Sequence, residues 1–287
     1  MNCIFCHAVS DNCKSIEHII PESLGNKEHT LWKGAVCDKC NNYFATKIEK
    51  ELLEQPYFVA TRHNNVIKTK KGHLVPNKYL FPHKQGGWQD VWFDYNDNGM
   101  NIIFEHNSPV IQLIKDGKIN KMIVPICNEP EPNNYILSRF LAKCAFEYIM
   151  LIFDSDTNNY AYRREIIEFL REKQFDSIRK YARYGDEVKF WKYHQRRIYG
   201  EETQFIDKKE SDGQPYEVLH EMCLFVDKET VSKSDNRICA ETYFVIVIMG
   251  IEYVINIGEP EIKGYEKWLQ KNNYKSPIER NYEKRIK

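Results

Sequence analysis

Apolar residues recur every three or four positions in several segments of this chain, which is the pattern of amphipathic helices. A segment that starts near Asn41 shows it, with apolar residues at Tyr43, Phe44, Ile48, Leu52 and Leu53. A second segment, 135–153, carries Ile136, Phe140, Ala145, Tyr148 and Ile152 at the same spacing. Shorter helices are predicted at 162–173, 175–184 and 267–272. Gly185 is expected to end the middle one of these three.

Strand-like patterns occupy much of the rest of the chain. The longest apolar run, 243–257, is rich in Val, Ile, Phe and Tyr and is interrupted by Gly250 and Glu252. It predicts a buried strand or hairpin rather than a membrane span, which needs about 18 uninterrupted apolar residues. Shorter strands are predicted at 100–105, 119–126 and 218–226. Blocks of helices and blocks of strands together predict an α+β fold.

Charged residues are balanced over the whole chain and are unevenly distributed only locally. The 287 residues include 41 basic and 41 acidic side chains, so the net charge is zero and gives no argument for a nucleic-acid partner. The stretch 161–198 is nevertheless basic, with 11 Lys and Arg against 6 Asp and Glu. Within it, Arg179, Lys180 and Arg183 share a helical face by their spacing. They are expected either to contact phosphates or to pair with nearby acidic residues such as Asp176, and the sequence leaves both open.

Four cysteines near the N-terminus have the spacing of a zinc site. They form two CxxC motifs, Cys3-Ile4-Phe5-Cys6 and Cys37-Asp38-Lys39-Cys40. Four thiolates bind one Zn²⁺ tetrahedrally in structural sites, and a CxxC turn brings two of them to the metal. Two disulfides are the alternative, but no signal-peptide pattern precedes Cys3. We therefore expect a cytoplasmic protein with reduced thiols and a structural zinc on Cys3, Cys6, Cys37 and Cys40.

The 30 residues between the two motifs carry groups suited to phosphodiester hydrolysis. Such hydrolysis needs a base that activates water and a cation that stabilises the developing negative charge. His18 is suited to be the base, because histidine titrates near neutral pH. Its neighbour Glu17 is a hard oxygen ligand for Mg²⁺ or Mn²⁺. Adjacent residues of a strand point to opposite faces, so both can serve one site only at a twist, a bulge or a strand end. Asn41, directly after the last cysteine, is expected to cap the helix that follows.

These motifs resemble the HNH endonucleases, in the branch whose ββα-metal finger is stabilised by a zinc ribbon. The resemblance rests on the two CxxC motifs, on Glu17-His18-Ile19-Ile20-Pro21, and on Asn41 followed by a helix. It implies an α+β protein with an N-terminal ββα-metal finger and a structural zinc, followed by a mixed α+β region. It also implies that His18 is the general base and that Glu17 and Asn41 hold one divalent cation, Mg²⁺ or Mn²⁺.

The family further has a central asparagine whose side chain or backbone orients the base. Asn26 is the first choice for this position, with His29 and Thr30 as alternatives. Asn26 is equally suited to an ordinary turn after Gly25, since asparagine is common in turns.

We therefore expect a metal-dependent endonuclease, a hydrolase of DNA phosphodiester bonds, with a nuclease finger at 1–56. Residues 57–287 would recognise the substrate or regulate the nuclease, with a further boundary near 128–134. A role in restriction or phage defence would extend this interpretation by analogy. Two other hypotheses stay open: a catalytically degenerate zinc-ribbon module that only binds nucleic acid, and a nuclease gated by a ligand-sensing C-terminal region. DNA is the expected partner, no membrane is expected, and a homodimer and a small-molecule or protein regulator are compatible with the sequence.

Overall fold

The structure is a computed structural model. It describes residues 1–26, 28–69, 71–82, 88–96, 99–104, 108–118, 121, 123, 127–155, 175–186, 189–199, 205–206, 217–218, 220–231 and 238–279. The chain divides into two compact units. The first comprises Met1–Pro21, Asn26–Leu52 and Glu131–Lys287, and the second comprises Glu22–Gly25 and Leu53–Pro130. The predicted domains at 1–56 and 57–287 stay a prediction.

The described residues form short helices, one long helix and antiparallel strands. The helices are α1 (Asp38–Phe44), α2 (Lys50–Leu53), α3 (Pro56–Asn64), α4 (Val110–Lys115), α5 (Tyr135–Ser155), α6 (Asp176–Tyr184) and α7 (Lys263–Lys271). The strands are β1 (Asn77–Pro82), β2 (Trp88–Asn96), β3 (Gly99–Phe104), β4 (Tyr193–Arg197), β5 (Phe205–Ile206), β6 (Glu217–Val218), β7 (Glu221–Val231), β8 (Ile238–Ile248) and β9 (Ile251–Asn256). The predicted α+β class is confirmed.

The N-terminal part of the first unit is a set of tight turns followed by a helical segment. Its chain pairs antiparallel at two isolated bridges, Asn2 with Val9 and His18 with Thr30. A π-helical turn, Ala45–Glu49, joins α1 to α2, so the two helices form one nearly continuous segment. Of its five periodic apolar residues, Phe44, Ile48 and Leu52 are buried, whereas Tyr43 and Leu53 are partly exposed.

The segment does not begin at Asn41, and the predicted cap there is wrong. Cys37 is the N-cap of α1, and its sulfur accepts a hydrogen bond from the backbone N–H of Cys40 at 3.4 Å. The second CxxC turn therefore caps the helix itself. Asn41 lies within the first turn of α1, where its backbone N–H donates to the Cys37 carbonyl oxygen at 2.9 Å.

A four-stranded antiparallel sheet of order β4-β9-β8-β7 forms the centre of the rest of this unit. Successive residues of β8 face opposite sides, as strand geometry requires. Tyr243, Val245 and Val247 join the core beneath α7, whereas the Phe244 ring meets Tyr148 of α5, with 5.6 Å between ring centres. Gly250, at φ +76°, forms the tight turn between β8 and β9. The apolar run 243–257 is therefore a buried hairpin, as predicted.

The second unit contains the three-stranded antiparallel sheet β1-β2-β3 together with α3 and α4. Its core is a cluster of four buried residues, Phe81, Val91, Phe93 and Val110. The strand predicted at 100–105 is present as β3. The helices α3 and α4 were not predicted, because segments of nine and six residues are too short for periodicity to distinguish them.

The other predicted elements have mixed outcomes. The helices at 135–153 and 175–184 are confirmed as α5 and α6, and Gly185 ends α6 with φ +75°. The last helix begins at Lys263, four residues before the predicted start. The predicted helix 162–173 lies outside the described residues, as does most of the predicted strand 119–126. Among the helices of the described residues, none combines the length and apolar character needed to cross a bilayer.

Candidate active site and metal centre

Two CxxC turns bring four cysteine sulfurs together. The Sγ atoms of Cys3, Cys6, Cys37 and Cys40 all lie within 4.8 Å of one another. Four thiolates at about 2.3 Å from a zinc ion would be separated by about 3.8 Å, so the number, chemistry and spacing of the sulfurs fit structural zinc. Cys3 and Cys40 are fully buried, as a closed site requires.

Hydrogen bonds within this cluster favour the thiolate form of one cysteine. Hydrogen bonding from Cys40 lowers the pKa of Cys3 to about 4, whereas burial raises the pKa of Cys37 to about 11. One thiolate is thus favoured by its thiol neighbours. Binding of Zn²⁺ would favour the thiolate form of all four, since the metal binds the deprotonated sulfur.

Side chains from α5 and α6 surround the second CxxC turn. Arg183 of α6 donates from Nε to Cys40 Sγ at 3.4 Å, and its guanidinium carbon lies 3.8 Å from the centre of the Tyr43 ring. The Tyr43 hydroxyl accepts a hydrogen bond from Arg139 of α5 at 2.7 Å. Hydrogen bonds to a ligand atom orient that ligand and adjust its affinity for the metal. Residues far along the chain therefore complete the surroundings of the N-terminal cysteines.

His18 lies in a short pairing between two extended segments. The Ile19 N–H donates to the His29 carbonyl oxygen at 3.0 Å, and the Leu31 N–H donates to the Glu17 carbonyl oxygen at 2.9 Å. His18 itself faces Thr30 in the bridge and is half-buried, with its Nδ1 atom buried. The pairing is limited to these few residues, so Glu17 and His18 lie at an isolated bridge and not within a regular strand.

The Asn26 side chain forms hydrogen bonds that hold the loop between these two segments. Its Nδ2 donates to the Ile20 carbonyl oxygen at 2.6 Å, and its Oδ1 accepts from the backbone N–H groups of Glu28 and His29, each at 3.1 Å. The side chain is buried, with 3% of its surface exposed. Of the three residues considered for the central position, Asn26 is the one whose side chain joins the His18 segment to the returning segment. His29 contributes its backbone and also its ring, whose Nδ1 lies 3.1 Å from Asn26 Oδ1, and burial lowers the pKa of that ring.

Glu17 and Asn41 meet side chain to side chain. Asn41 Nδ2 donates to Glu17 Oε2 at 2.7 Å, and Glu17 is buried with 4% of its surface exposed. A carboxylate and an amide offer the hard oxygen ligands that Mg²⁺ and Mn²⁺ prefer, so the donor set fits such a cation. Coordination by Asn41 would require its amide to turn its oxygen, rather than its nitrogen, toward Glu17.

A fully buried lysine of α5 lies beside this pair. Lys143 Nζ is 2.7 Å from Glu17 Oε1, 3.3 Å from Glu49 Oε1 and 3.0 Å from Glu147 Oε2. Burial acts to lower the pKa of Lys143, but the three carboxylates, with Glu147 the strongest, raise it well above its ordinary value. Burial raises the pKa of Glu147 well above its usual range, against the effect of Lys143. The lysine therefore stays charged despite its burial, whereas burial favours the protonated form of Glu147.

Residues 3–57 match the family model of the HNH endonucleases. The matched segment contains both CxxC motifs, Glu17, His18 and Asn41, so the predicted resemblance is confirmed over these residues. We call residues 3–57 the HNH segment. The match indicates nuclease activity in general, with DNA as the implied substrate.

The HNH segment is about a fifth of the 287-residue chain. Comparison with curated proteins and with solved structures gave no match. The roles of His18, Glu17, Asn41 and Asn26 in the HNH segment stay predictions, as do the identities of the metal ions.

The sequence did not predict that residues outside the HNH segment contact the site, above all Lys143, which was not singled out, and Arg183, which was singled out only for its basic helical face. One signal for Lys143 was present. It stands within a strongly apolar helix, and Glu147 follows at the i,i+4 spacing of an ion pair. A charged pair on the buried side of a helix indicates a polar partner across the interface, although it cannot identify that partner.

Proposed function

We propose that the protein is an endonuclease that hydrolyses DNA phosphodiester bonds, with His18 as the general base and one Mg²⁺ or Mn²⁺ held by Glu17 and Asn41. One observation carries the proposal. Glu17 and Asn41, 24 positions apart in sequence, come together at 2.7 Å, and Glu17 is the immediate neighbour of His18. Two hard oxygen donors next to a half-buried histidine supply the parts that metal-assisted phosphodiester hydrolysis needs.

The chain's own residues would act as follows. His18 takes a proton from a water molecule while the water oxygen attacks the phosphorus atom. The bond from phosphorus to the 3′ oxygen breaks and that oxygen takes up a proton, which leaves a 3′ hydroxyl and a 5′ phosphate. Because Nδ1 of His18 is buried, we assign this proton transfer to Nε2. A bound Mg²⁺ or Mn²⁺ supplies Lewis-acid stabilisation of the developing negative charge.

Asn26 and the four cysteines would support this catalytic arrangement. Asn26 orients the base indirectly, because its hydrogen bonds hold together the two segments on either side of the His18 bridge. The proposed zinc on the four cysteines is structural, since a site closed by four thiolates has no open position for a substrate. By analogy alone, we extend the proposal to restriction or phage defence, in a cytoplasmic protein that acts as a homodimer or under a small-molecule or protein regulator.

A second candidate is a nucleic-acid-binding module that does not cleave. One observation favours it: both oxygens of Glu17 already have partners, Oε1 in Lys143 and Oε2 in Asn41. If these contacts persisted in solution, the carboxylate would offer less to a divalent cation. A regulated nuclease lies between these two candidates. In it, a ligand of the C-terminal region would alter the contacts of Glu17.

Plasmid nicking with Mg²⁺ or Mn²⁺ separates these candidates. Wild-type protein is compared with His18→Ala, and zinc is quantified in both. We expect wild type to nick and His18→Ala to be slower by about 10²- to 10⁴-fold at equal zinc content, the usual contribution of a general base. His73→Ala is the matched control, because His73 is exposed and lies outside the HNH segment, and it should nick like wild type. Equal nicking by wild type and His18→Ala would refute the proposed base, and DNA binding without nicking would favour the binding module.

A further inference from the structure

Helix α5 contacts the extended segment that carries the proposed base and metal ligand. Lys143 Nζ donates to the carbonyl oxygen of His18 at 3.1 Å, and Cys144 Sγ donates to the carbonyl oxygen of Ile19 at 3.1 Å. The same Nζ is 2.7 Å from Glu17 Oε1. Two consecutive residues of α5 thus bond two consecutive backbone positions, and one of them also binds the carboxylate next to the base.

These contacts fix the orientation of Glu17. Its two oxygens have different partners on different elements, with Lys143 of α5 at Oε1 and Asn41 of α1 at Oε2. A carboxylate bonded at both oxygens cannot rotate freely, so Oε2 stays directed at Asn41. The partner of Oε1 comes from 126 positions along the chain, well outside the HNH segment.

If Lys143 only stabilised the fold, it would not need its contacts with Glu17 and the His18 backbone. Glu147 lies one turn away on the same helix, 3.0 Å from Nζ, and could serve as the counter-ion by itself. Buried ion pairs contribute little net stability, and apolar replacements are often as stable or more so. Lys143 is fully buried, yet it reaches from α5 to Glu17 and to the backbone of His18.

We propose that Lys143 is a positioning residue of the nuclease site, which holds the Glu17 carboxylate and the His18 backbone in place for cation binding. The inference rests on the proposed function, because Glu17 and His18 have their roles there. It also makes part of the C-terminal region a component of the nuclease site, in addition to any part in choosing the substrate.

The test measures Mn²⁺ binding to the full-length, zinc-loaded protein by titration calorimetry and by the electron paramagnetic resonance of free Mn²⁺. The variant is Lys143→Met/Glu147→Gln, compared with Glu147→Gln alone. Both proteins carry Glu147→Gln, so their comparison isolates the Lys143 ammonium. Loss of this positive charge would by itself favour a cation at Glu17, so weaker Mn²⁺ binding in the double variant reports position rather than charge. Glu17→Gln identifies the part of the Mn²⁺ signal that belongs to this site.

We expect Glu147→Gln to bind Mn²⁺ within about twofold of wild type and the double variant to bind it about 10- to 100-fold more weakly, the usual effect of losing a residue that orients a metal ligand. Zinc content should not change. Lys143→Gln, which keeps an N–H donor, should show a smaller loss, and it is the second variant should the double variant fold poorly. Mn²⁺ affinity that is unchanged or tighter in both Lys143 variants would overturn the inference while leaving the nuclease proposal intact.

The two proposals fail in different ways. Wild-type protein with no Mn²⁺ signal that depends on Glu17 would overturn the proposed cation site, and with it this inference. Nicking that survives His18→Ala would overturn the proposed base, whereas the Mn²⁺ comparison between the Lys143 variants would still decide the positioning of Glu17.

Discussion

Asn26→Ala tests how the fold holds His18 in place. The substitution removes the hydrogen bond to the Ile20 carbonyl oxygen at 2.6 Å and the two accepted from the Glu28 and His29 N–H groups at 3.1 Å. Each such bond contributes about 1 kcal/mol net, so the free energy of unfolding should fall by about 3 kcal/mol. For a protein of this size that corresponds to a decrease in Tm of about 6 to 12 °C.

The assay combines thermal unfolding with plasmid nicking at a temperature well below the Tm of the variant. Nicking should fall at least tenfold, because small displacements of a catalytic group are costly. Asn42→Ala is the matched control, since Asn42 is exposed on the same segment as Asn41 and its removal should change stability by less than about 0.5 kcal/mol. Asn26→Asp, which keeps the acceptor but loses the donor, should lie between Asn26→Ala and wild type. Wild-type stability in Asn26→Ala would refute the hydrogen-bond argument, and full nicking despite lower stability would refute the link to His18.

Two further changes test other parts of the first unit. Arg183→Met should speed the release of zinc to a chelating dye about tenfold, because it removes the hydrogen bond to Cys40 Sγ. Lys180→Met, at an exposed position on the same helix, is its control, and equal release rates in the two variants would contradict the role of Arg183. Gly185→Ala should lower the free energy of unfolding by more than the roughly 1–2 kcal/mol of left-handed strain, because a Cβ at φ +75° would also collide with the Tyr135 hydroxyl. Gly72→Ala shares the strain, at φ +79°, but meets no atom within 4 Å, so an equal loss in both variants would show that the collision is relieved.

The sequence was enough to predict those helices, turns and motifs that residues close together in the chain determine. The long helix α5 has several turns of apolar periodicity, and α6 has both that periodicity and a glycine stop. The hairpin of β8 and β9 was visible because Gly250 interrupts a β-branched and aromatic run. The four zinc-binding candidates were predicted because two CxxC motifs specify a metal site through their own spacing. His18 and Glu17 were singled out by their side-chain chemistry, and the family resemblance added Asn41 as a ligand; periodicity indicated none of the three roles.

The contacts that could not be predicted join residues far apart in the chain. Lys143 has a visible partner in Glu147 at i,i+4, but nothing local indicates Glu17 or the carbonyl oxygen of His18. The helix cap was misassigned for a related reason. Asparagine is a favoured cap in general, but here the sulfur of Cys37 accepts the capping hydrogen bond, as the geometry of the metal-binding turn dictates.

The basic residues of α6 also make contacts that the sequence could not predict. These contacts limit what α6 can contribute to DNA binding. Its spacing left open whether its basic residues contact phosphates or form ion pairs. In the structure Arg179 is buried, pairs with Asp176 and donates to the carbonyl oxygen of Phe5, inside the first CxxC turn. Arg183 donates to Cys40 in the second CxxC turn. Lys180, whose side chain is 61% exposed, also pairs with Asp176, but an exposed pair of this kind is weak and a phosphate could displace it. Helix α6 therefore acts mainly as a support for both cysteine turns, and a DNA-binding nuclease would need further phosphate contacts from other parts of its surface.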